Sequence, residues 1–186
     1  MHVDELRDWI LSWFEVPQKV GGPAALVVPL LAFNRVPGTP ILDGDVEVLV
    51  IENQGVWLWG RDQHGSYVER ENKPAAVWRR TGEDEAEFWL HHAAFEAVWS
   101  MPARRSSQGA SGSSLALILG GTAPLPVGEW AWPGDRQRIH VHGRSLVMVC
   151  GDGDGYWIVA AAPSEVDLEW LDALGLAWAE TDTRNA

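Results

Sequence analysis

The run Val48-Leu-Val-Ile-Glu-Asn-Gln-Gly-Val-Trp-Leu-Trp59 constrains the fold more than any other stretch of this chain. Two segments of strand-forming residues flank Asn53-Gln54-Gly55. Glycine supplies a positive φ there and asparagine tolerates the left-handed region, so the chain reverses and pairs with itself. The pattern predicts strands over Val46 to Glu52 and Val56 to Gly60, joined as a β-hairpin. Both alternation classes of the second strand are apolar, Val56 with Leu58 and Trp57 with Trp59, which predicts a strand covered on both faces. Gly55 then sets the backbone, Asn53 and Gln54 serve the turn amides, and Trp57 and Trp59 supply core volume. Glu52 and Gln54 are the members of the motif with the chemistry to face a partner instead.

Turn punctuation divides the rest of the chain. Pro37-Gly-Thr-Pro40 and Asp43-Gly44 lead into the hairpin, Arg61 to Gly65 is a second polar turn, and Ser66 to Arg70 continues the sheet. Asp4 to Phe14 has helical spacing, and Ala24 to Leu31 is apolar enough for a strand that Pro29 confines to an edge. Thr81-Gly-Glu-Asp84 has the form of a capping box and predicts a helix in which Phe88, His91 or His92, Phe95 and Val98 or Trp99 share a face until Pro102 stops it.

Residues 104–114 are rich in Ser and Gly and read as a flexible loop. Leu115 to Leu119 is too short to assign to helix or strand. Arg138 to Val141, Ser145 to Cys150 and Tyr156 to Ala162 predict strands separated by hairpin turns. A helix follows from Ser164, with Val166, Leu168, Leu171 and Leu174 inward and Gly175 as its stop. The expected architecture is α+β: one domain over residues 1–186, with a largely antiparallel or mixed β-sheet and helices packed against it.

At 186 residues the chain is long enough to bury a sizeable core. Its single cysteine, Cys150, admits no intrachain disulfide, and no apolar run approaches the length of a membrane span. The N-terminus has no export signal, so the expected location is cytoplasmic. The formal net charge of -12 disfavours nucleic acid and anionic membranes as partners, because both require Lys and Arg to neutralise phosphates. It leaves two readings: acidity that only maintains solubility, and an acidic surface that attracts a basic protein partner by long-range steering. The carboxylates expected in turns or near them, and so available to such a partner, are Asp43, Asp45, Glu47, Asp62, Glu69, Glu71, Asp152 and Asp154.

No catalytic or cofactor motif emerges. Gly151-Asp-Gly-Asp-Gly155 lacks the downstream ligands of a calcium loop and reads as a hairpin turn. His140 and His142 share one strand face but have no third and fourth ligand at zinc spacing. His92 and Glu96, one helical turn apart, read as a surface pair. Gly109-Ala-Ser-Gly112-Ser-Ser has neither the Gly-Lys-Ser/Thr of a phosphate loop nor the GxSxG of a nucleophile elbow. Cys150 ends an apolar strand, the setting of an inert thiol.

The hairpin from Asp43-Gly44-Asp45 through Asn53-Gln54-Gly55-Val56-Trp57-Leu58-Trp59 resembles the ENQGV-x-W hairpin of the SUKH superfamily, the Smi/Knr-like proteins. The segment Glu87-Phe-Trp-Leu-His-His-Ala-Ala-Phe95-Glu-Ala97 is similar to the family's helix. The hairpins around Val147-Met-Val149 and Trp157 to Ala161, with the closing Leu176-Ala-Trp178, resemble its C-terminal half. The sequence departs from the pattern at Val159-Ala-Ala-Ala162, where a fuller match carries an arginine, in Ala24 to Leu31, and in the insertion after Arg105. The resemblance implies an α+β fold without catalytic residues or cofactor. It also implies an immunity protein that binds and blocks a cognate toxin. Fungal relatives imply a different role, that of a regulatory scaffold. A small hydrolase or metal enzyme built on His140, His142 and nearby carboxylates is the least favoured reading.

Overall fold

The computed structural model describes residues 34–151 and 155–180. It has an α+β fold with two antiparallel sheets where the sequence suggests one. The chain divides into two compact units, Met1–Glu96 with Val127–Glu129 and Ala97–Pro126 with Trp130–Ala186, and each sheet belongs to one of them. The expected helix over Asp4 to Phe14 and strand over Ala24 to Leu31 lie outside the described residues.

The first unit contains strands β1 (Ile41–Asp43), β2 (Val46–Ile51), β3 (Trp57–Asp62), β4 (Tyr67–Glu71) and β5 (Arg79–Arg80), paired in chain order. The opening hairpin forms as its pattern requires: β2 pairs with β3 in the register Val50↔Trp59 and Ile51↔Leu58, and Gly55 has φ +76°. Trp59, Phe88 and Phe95 are fully buried. Helix α1 (Glu85–Ser100) brings Phe95 within 6.3 Å of the Trp59 ring, while Phe88 stacks on Tyr67 at 4.3 Å. Trp57 is half-buried at the rim of this core.

The sheet of this unit coils. In a flat sheet β1 and β4 would lie three strand spacings, about 14 Å, apart. Yet the Asp43 carboxylate accepts from Arg70 Nε at 2.9 Å and from the Trp78 indole at 2.8 Å. Val46, Val48, Leu58 and Val68 are buried, although the outermost strands β1 and β5 have only three and two residues. Such short outer strands offer little edge for uncontrolled pairing.

The helix starts differently from its sequence pattern. Asp84 accepts from the Glu87 amide at 2.9 Å and Glu87 reaches back to the Asp84 amide at 3.0 Å, so the capping box is Asp84 to Glu87. Thr81 instead extends the β5 ladder, its amide donating to the Tyr67 carbonyl at 3.0 Å. A backbone committed to the sheet at Thr81 cannot also begin the helix there.

The second unit contains β6 (Ala103–Ala110), α2 (Gly112–Leu119), β7 (Ala123–Pro124), β8 (Arg138–His142), β9 (Ser145–Cys150), β10 (Tyr156–Ala162), a 3-10 helix (Glu165–Leu174) and β11 (Ala179–Glu180). The strand order is β11-β6-β10-β9-β8-β7. Val147, Val149, Ile158 and Ala160 from the sheet close over Leu115 and Ile118 of α2 and Leu168 and Leu171 of the 3-10 helix.

Residues 104–114 are therefore not a flexible loop. They form most of β6, an interior strand, and the capped start of α2, where Ser111 accepts from the Ser114 amide at 3.2 Å. Composition misleads here because β6 is held by backbone pairing and by its arginines. Arg104 lies over the Trp99 ring, and Arg105 pairs with Asp172 and, at 3.6 Å, with Glu165. Leu115 to Leu119 is helical. Val166, expected inward, is 70% exposed, because the tighter winding of the 3-10 helix places residues three apart on one face. Leu168 and Leu171 fit that spacing.

Candidate partner-binding surface

The first residue expected at a partner surface, Glu52, is instead the internal fastener of its turn. It is buried, and its carboxylate accepts from the Gln54 amide at 2.9 Å and the Val56 amide at 3.3 Å; its carbonyl accepts from Gly55 at 2.7 Å. The turn amides are thus satisfied by Glu52, not by Asn53 and Gln54. Gln54 is exposed, and Asn72 donates to the Gly55 carbonyl at 2.7 Å beside it.

Glu69 is likewise interior. It lies in the middle of β4, not in a turn, and is only 2% exposed; it accepts from the Trp57 indole at 3.0 Å and pairs with Arg79 at 3.3 Å. Burial removes both Glu52 and Glu69 from any surface a partner could reach. Asp62 ends β3 and opens the turn that follows, its carbonyl accepting from Gly65 at 2.9 Å. Its carboxylate accepts from the amides of His64 and Ser66, and those backbone hydrogen bonds, Ser66 foremost, hold its carboxyl below the usual range. Glu71 is half-buried and paired with Lys73. Asp152 and Asp154 lie outside the described residues.

The half-buried carboxylates of this sheet are matched by cations: Glu47 with Arg61 at 3.0 Å, Asp43 with Arg70 at 2.7 Å, Asp62 with Arg80 at 3.9 Å. The excess of negative charge therefore collects at one end of the sheet. The β1–β2 turn is adjacent to the β3–β4 turn through the pair Val46↔Asp62, and Arg61 lies opposite Tyr67. The charge of Glu85 at the start of α1 reaches both Arg61 and Tyr67, adding to burial in pushing the Tyr67 hydroxyl upward. Asp45, Asp62, Asp84, Glu85 and Glu87 thus share this end. Among the described residues Asp45 and Glu85 have no ion-pair partner. Their convergence could not be read from linear spacing, since the sheet register alone sets the turns side by side.

The chemically most suggestive cluster is sealed. His91 Nδ1 lies 2.6 Å from Glu83 Oε1 with both side chains fully buried, and the same oxygen accepts from the Gly128 amide at 3.0 Å. A Cβ on Gly128 would meet the Thr81 carbonyl at 2.8 Å, so only glycine brings the 127–129 segment this close. The pair clips that segment to the unit. His92 and Glu96, expected at the surface, are also fully buried. Desolvation, and secondarily the charge of His91, holds the His92 imidazole well below its ordinary pKa. Its ring lies edge-on to Trp59 at 4.9 Å and to Phe88 at 4.7 Å.

In the second unit His140 contacts the Thr122 hydroxyl at 3.2 Å, and His142 stacks on Trp170 at 4.0 Å. Among the described residues no group of three or more His, Cys, Asp or Glu side chains could hold a metal ion, and no helix is long and apolar enough to cross a membrane. Burial pushes the Cys150 thiol up to about 12, in keeping with an inert side chain. Compared with known proteins, the chain matches no family model, no curated protein and no solved structure.

Proposed function

We propose that this chain is a non-catalytic protein-binding module that associates with a basic protein, and that this partner is a toxin it neutralises. The observation that supports the basic partner is the placement of charge. A chain of net charge -12 pairs most carboxylates of its first sheet with arginine or lysine, yet among the described residues Asp45 and Glu85 have no ion-pair partner at one end, beside Asp62, Asp84 and Glu87. Carboxylates with no cation of their own produce an outward field. Such a field accelerates encounter with a positively charged surface and repels acidic competitors. The toxin assignment comes from the SUKH-like resemblance of the Glu52 to Trp59 hairpin.

The test is co-expression with the basic protein encoded beside it, followed by stopped-flow association of the purified pair. Protection of the cells, and an association rate that falls as salt rises, are the expected results, because exposed charges are screened over about 8 Å at physiological ionic strength. Cells that die as readily with the chain as without it sink the neutralising role. A rate indifferent to salt and to Asp45→Lys with Glu85→Lys sinks the acidic surface.

A further inference from the structure

In the second unit, β6 and the segment leading into β11 diverge. Their pairing is confined to Ala179↔Ser106 and Glu180↔Arg105. One step further along β6, the register against β10 slips between Tyr156↔Ala110 and Ile158↔Ser107, so Gln108 and Gly109 together oppose Trp157. This is a β-bulge. Gly109, at φ +70°, supplies the left-handed residue that the bend requires. A bulge bends its own strand and leaves the extra residue outside the ladder, so β6 turns away from residues 176–178.

The result is a groove of about 760 Å³ between two lengths of main chain. One wall is Ser106 to Ser111 with Ser114, and the other is Leu176 to Ala179. Its volume lies within the range of about 300 to 1,000 Å³ typical of ligand sites. Although 22% of the chain is charged, none of the described residues lining this groove is. Hydroxyls and the Gln108 amide face an apolar wall of Leu176, Ala177 and Trp178. Beyond the two β11 pairs, no residue of β6 is paired on that side among the described residues, and residues 176–178 belong to no ladder. The direction of β11 excludes one simple filling: from Ala179 to Glu180 its partners run from Ser106 to Arg105, away from the groove.

We propose that this groove takes an extended, uncharged peptide segment of a protein partner. An uncharged lining has no counter-ion to offer and penalises a buried charge, which selects a segment without Lys, Arg, Asp or Glu at its centre. A main chain carries one donor and one acceptor per residue, matching the backbone that no described residue pairs on the facing sides of the two walls. Apolar side chains on one side of the segment meet Leu176 and Trp178, and polar ones meet the serines, as in the addition of a strand to an open sheet edge. The inference rests on reading the chain as a protein binder, but not on a basic partner; the groove and the acidic end of the first sheet are chemically opposite surfaces.

The probe is a phage-displayed library of random heptapeptides, selected on the full chain, with selected peptides then titrated into ¹⁵N-labelled protein. Ala177 is exposed and lines the groove, so Ala177→Arg fills it with a bulky charge without disturbing the core, and Ala177→Ser serves as the conservative control. The expected outcome is a set of peptides with uncharged centres that shift the Trp178 indole resonance. Their affinity should be insensitive to salt, weakened at least tenfold by Ala177→Arg and unchanged by Ala177→Ser. Selection of no peptide overturns the proposal. So do peptides that leave Trp178 unmoved, or that bind Ala177→Arg equally well. Lysine-rich peptides with salt-dependent binding indifferent to Ala177→Arg would sink the groove while supporting the acidic surface. A salt-dependent basic partner that fails to appear, with the groove peptides intact, would do the reverse. Self-association abolished by Ala177→Arg would assign the groove to a second copy of the chain and likewise overturn the proposal.

Discussion

The indole N–H of Trp57 donates to the Glu69 carboxylate at 3.0 Å, on the face of the sheet where Trp59 and Glu69 are directly paired. A carboxylate with these neighbours is part of the interior, and replacing it leaves the indole N–H and the Arg79 guanidinium facing a mismatched group. Leaving a buried polar group unsatisfied costs about 1 to 3 kcal/mol, and the half-exposed Arg79 keeps the cost within that range, whereas an exposed charge reversal changes stability by at most about 0.5 kcal/mol. Glu69→Lys is therefore expected to lower the denaturation midpoint sharply, and Glu85→Lys to leave it nearly in place. Equal urea midpoints for the two variants would contradict the burial of Glu69.

The Glu52 carboxylate sets a second contrast within the hairpin. Glu52→Ala removes the acceptor for two turn amides and is expected to cost about 1 to 3 kcal/mol, while Gln54→Ala, at an exposed side chain, falls within about 0.5 kcal/mol of the parent. Gly55→Val places a β-branched residue at φ +76° and costs more than about 1 kcal/mol. Chemical denaturation of the three variants checks the order; a Gln54→Ala effect as large as that of Glu52→Ala would reassign the turn.

His92 predicts the response to acid. Its folded pKa is depressed by burial, so above about pH 6.5 the folded and unfolded chains both hold it neutral and stability is unaffected. As the pH falls through 6.5 the unfolded chain takes up a proton that the folded chain refuses, and stability declines by up to about 1.4 kcal/mol per pH unit. Thermal melts between pH 7.5 and pH 5 should show this slope, and His92→Phe should flatten it. A parent whose midpoint is level across that range would show that His92 is not buried neutral.

Cys150 offers the simplest check on the second unit. With its thiol pushed up to about 12, the thiolate fraction at pH 8 is on the order of one part in ten thousand, and the side chain is buried as well. A disulfide reagent should therefore label it only in denaturant. Rapid labelling of the native protein would place β9 elsewhere.

What the sequence determined by itself was local. Asn53-Gln54-Gly55 between apolar strands sufficed for the hairpin, because a two-residue alternation and a left-handed glycine are properties of neighbouring residues. The strand rhythm from Arg138 to Ala162 was legible for the same reason, and the aromatic spacing of α1 showed where Phe88 and Phe95 must go. Tertiary structure decided everything that depends on a distant partner. Ser- and Gly-rich residues 104–110 became an interior strand because β10 and β11 pair with them, and because Arg105 finds Asp172 and Glu165 far along the chain. Glu52, Glu69 and Glu96 became interior, since whether a carboxylate is solvated depends on what folds over it and not on its neighbours in sequence. The capping box moved from Thr81 to Asp84 because β4 claimed Thr81 first. Both candidate surfaces belong to this second kind: the acidic end of the first sheet exists only once the register sets two turns and a helix start together, and the uncharged groove only once a bulge bends β6 away from Trp178.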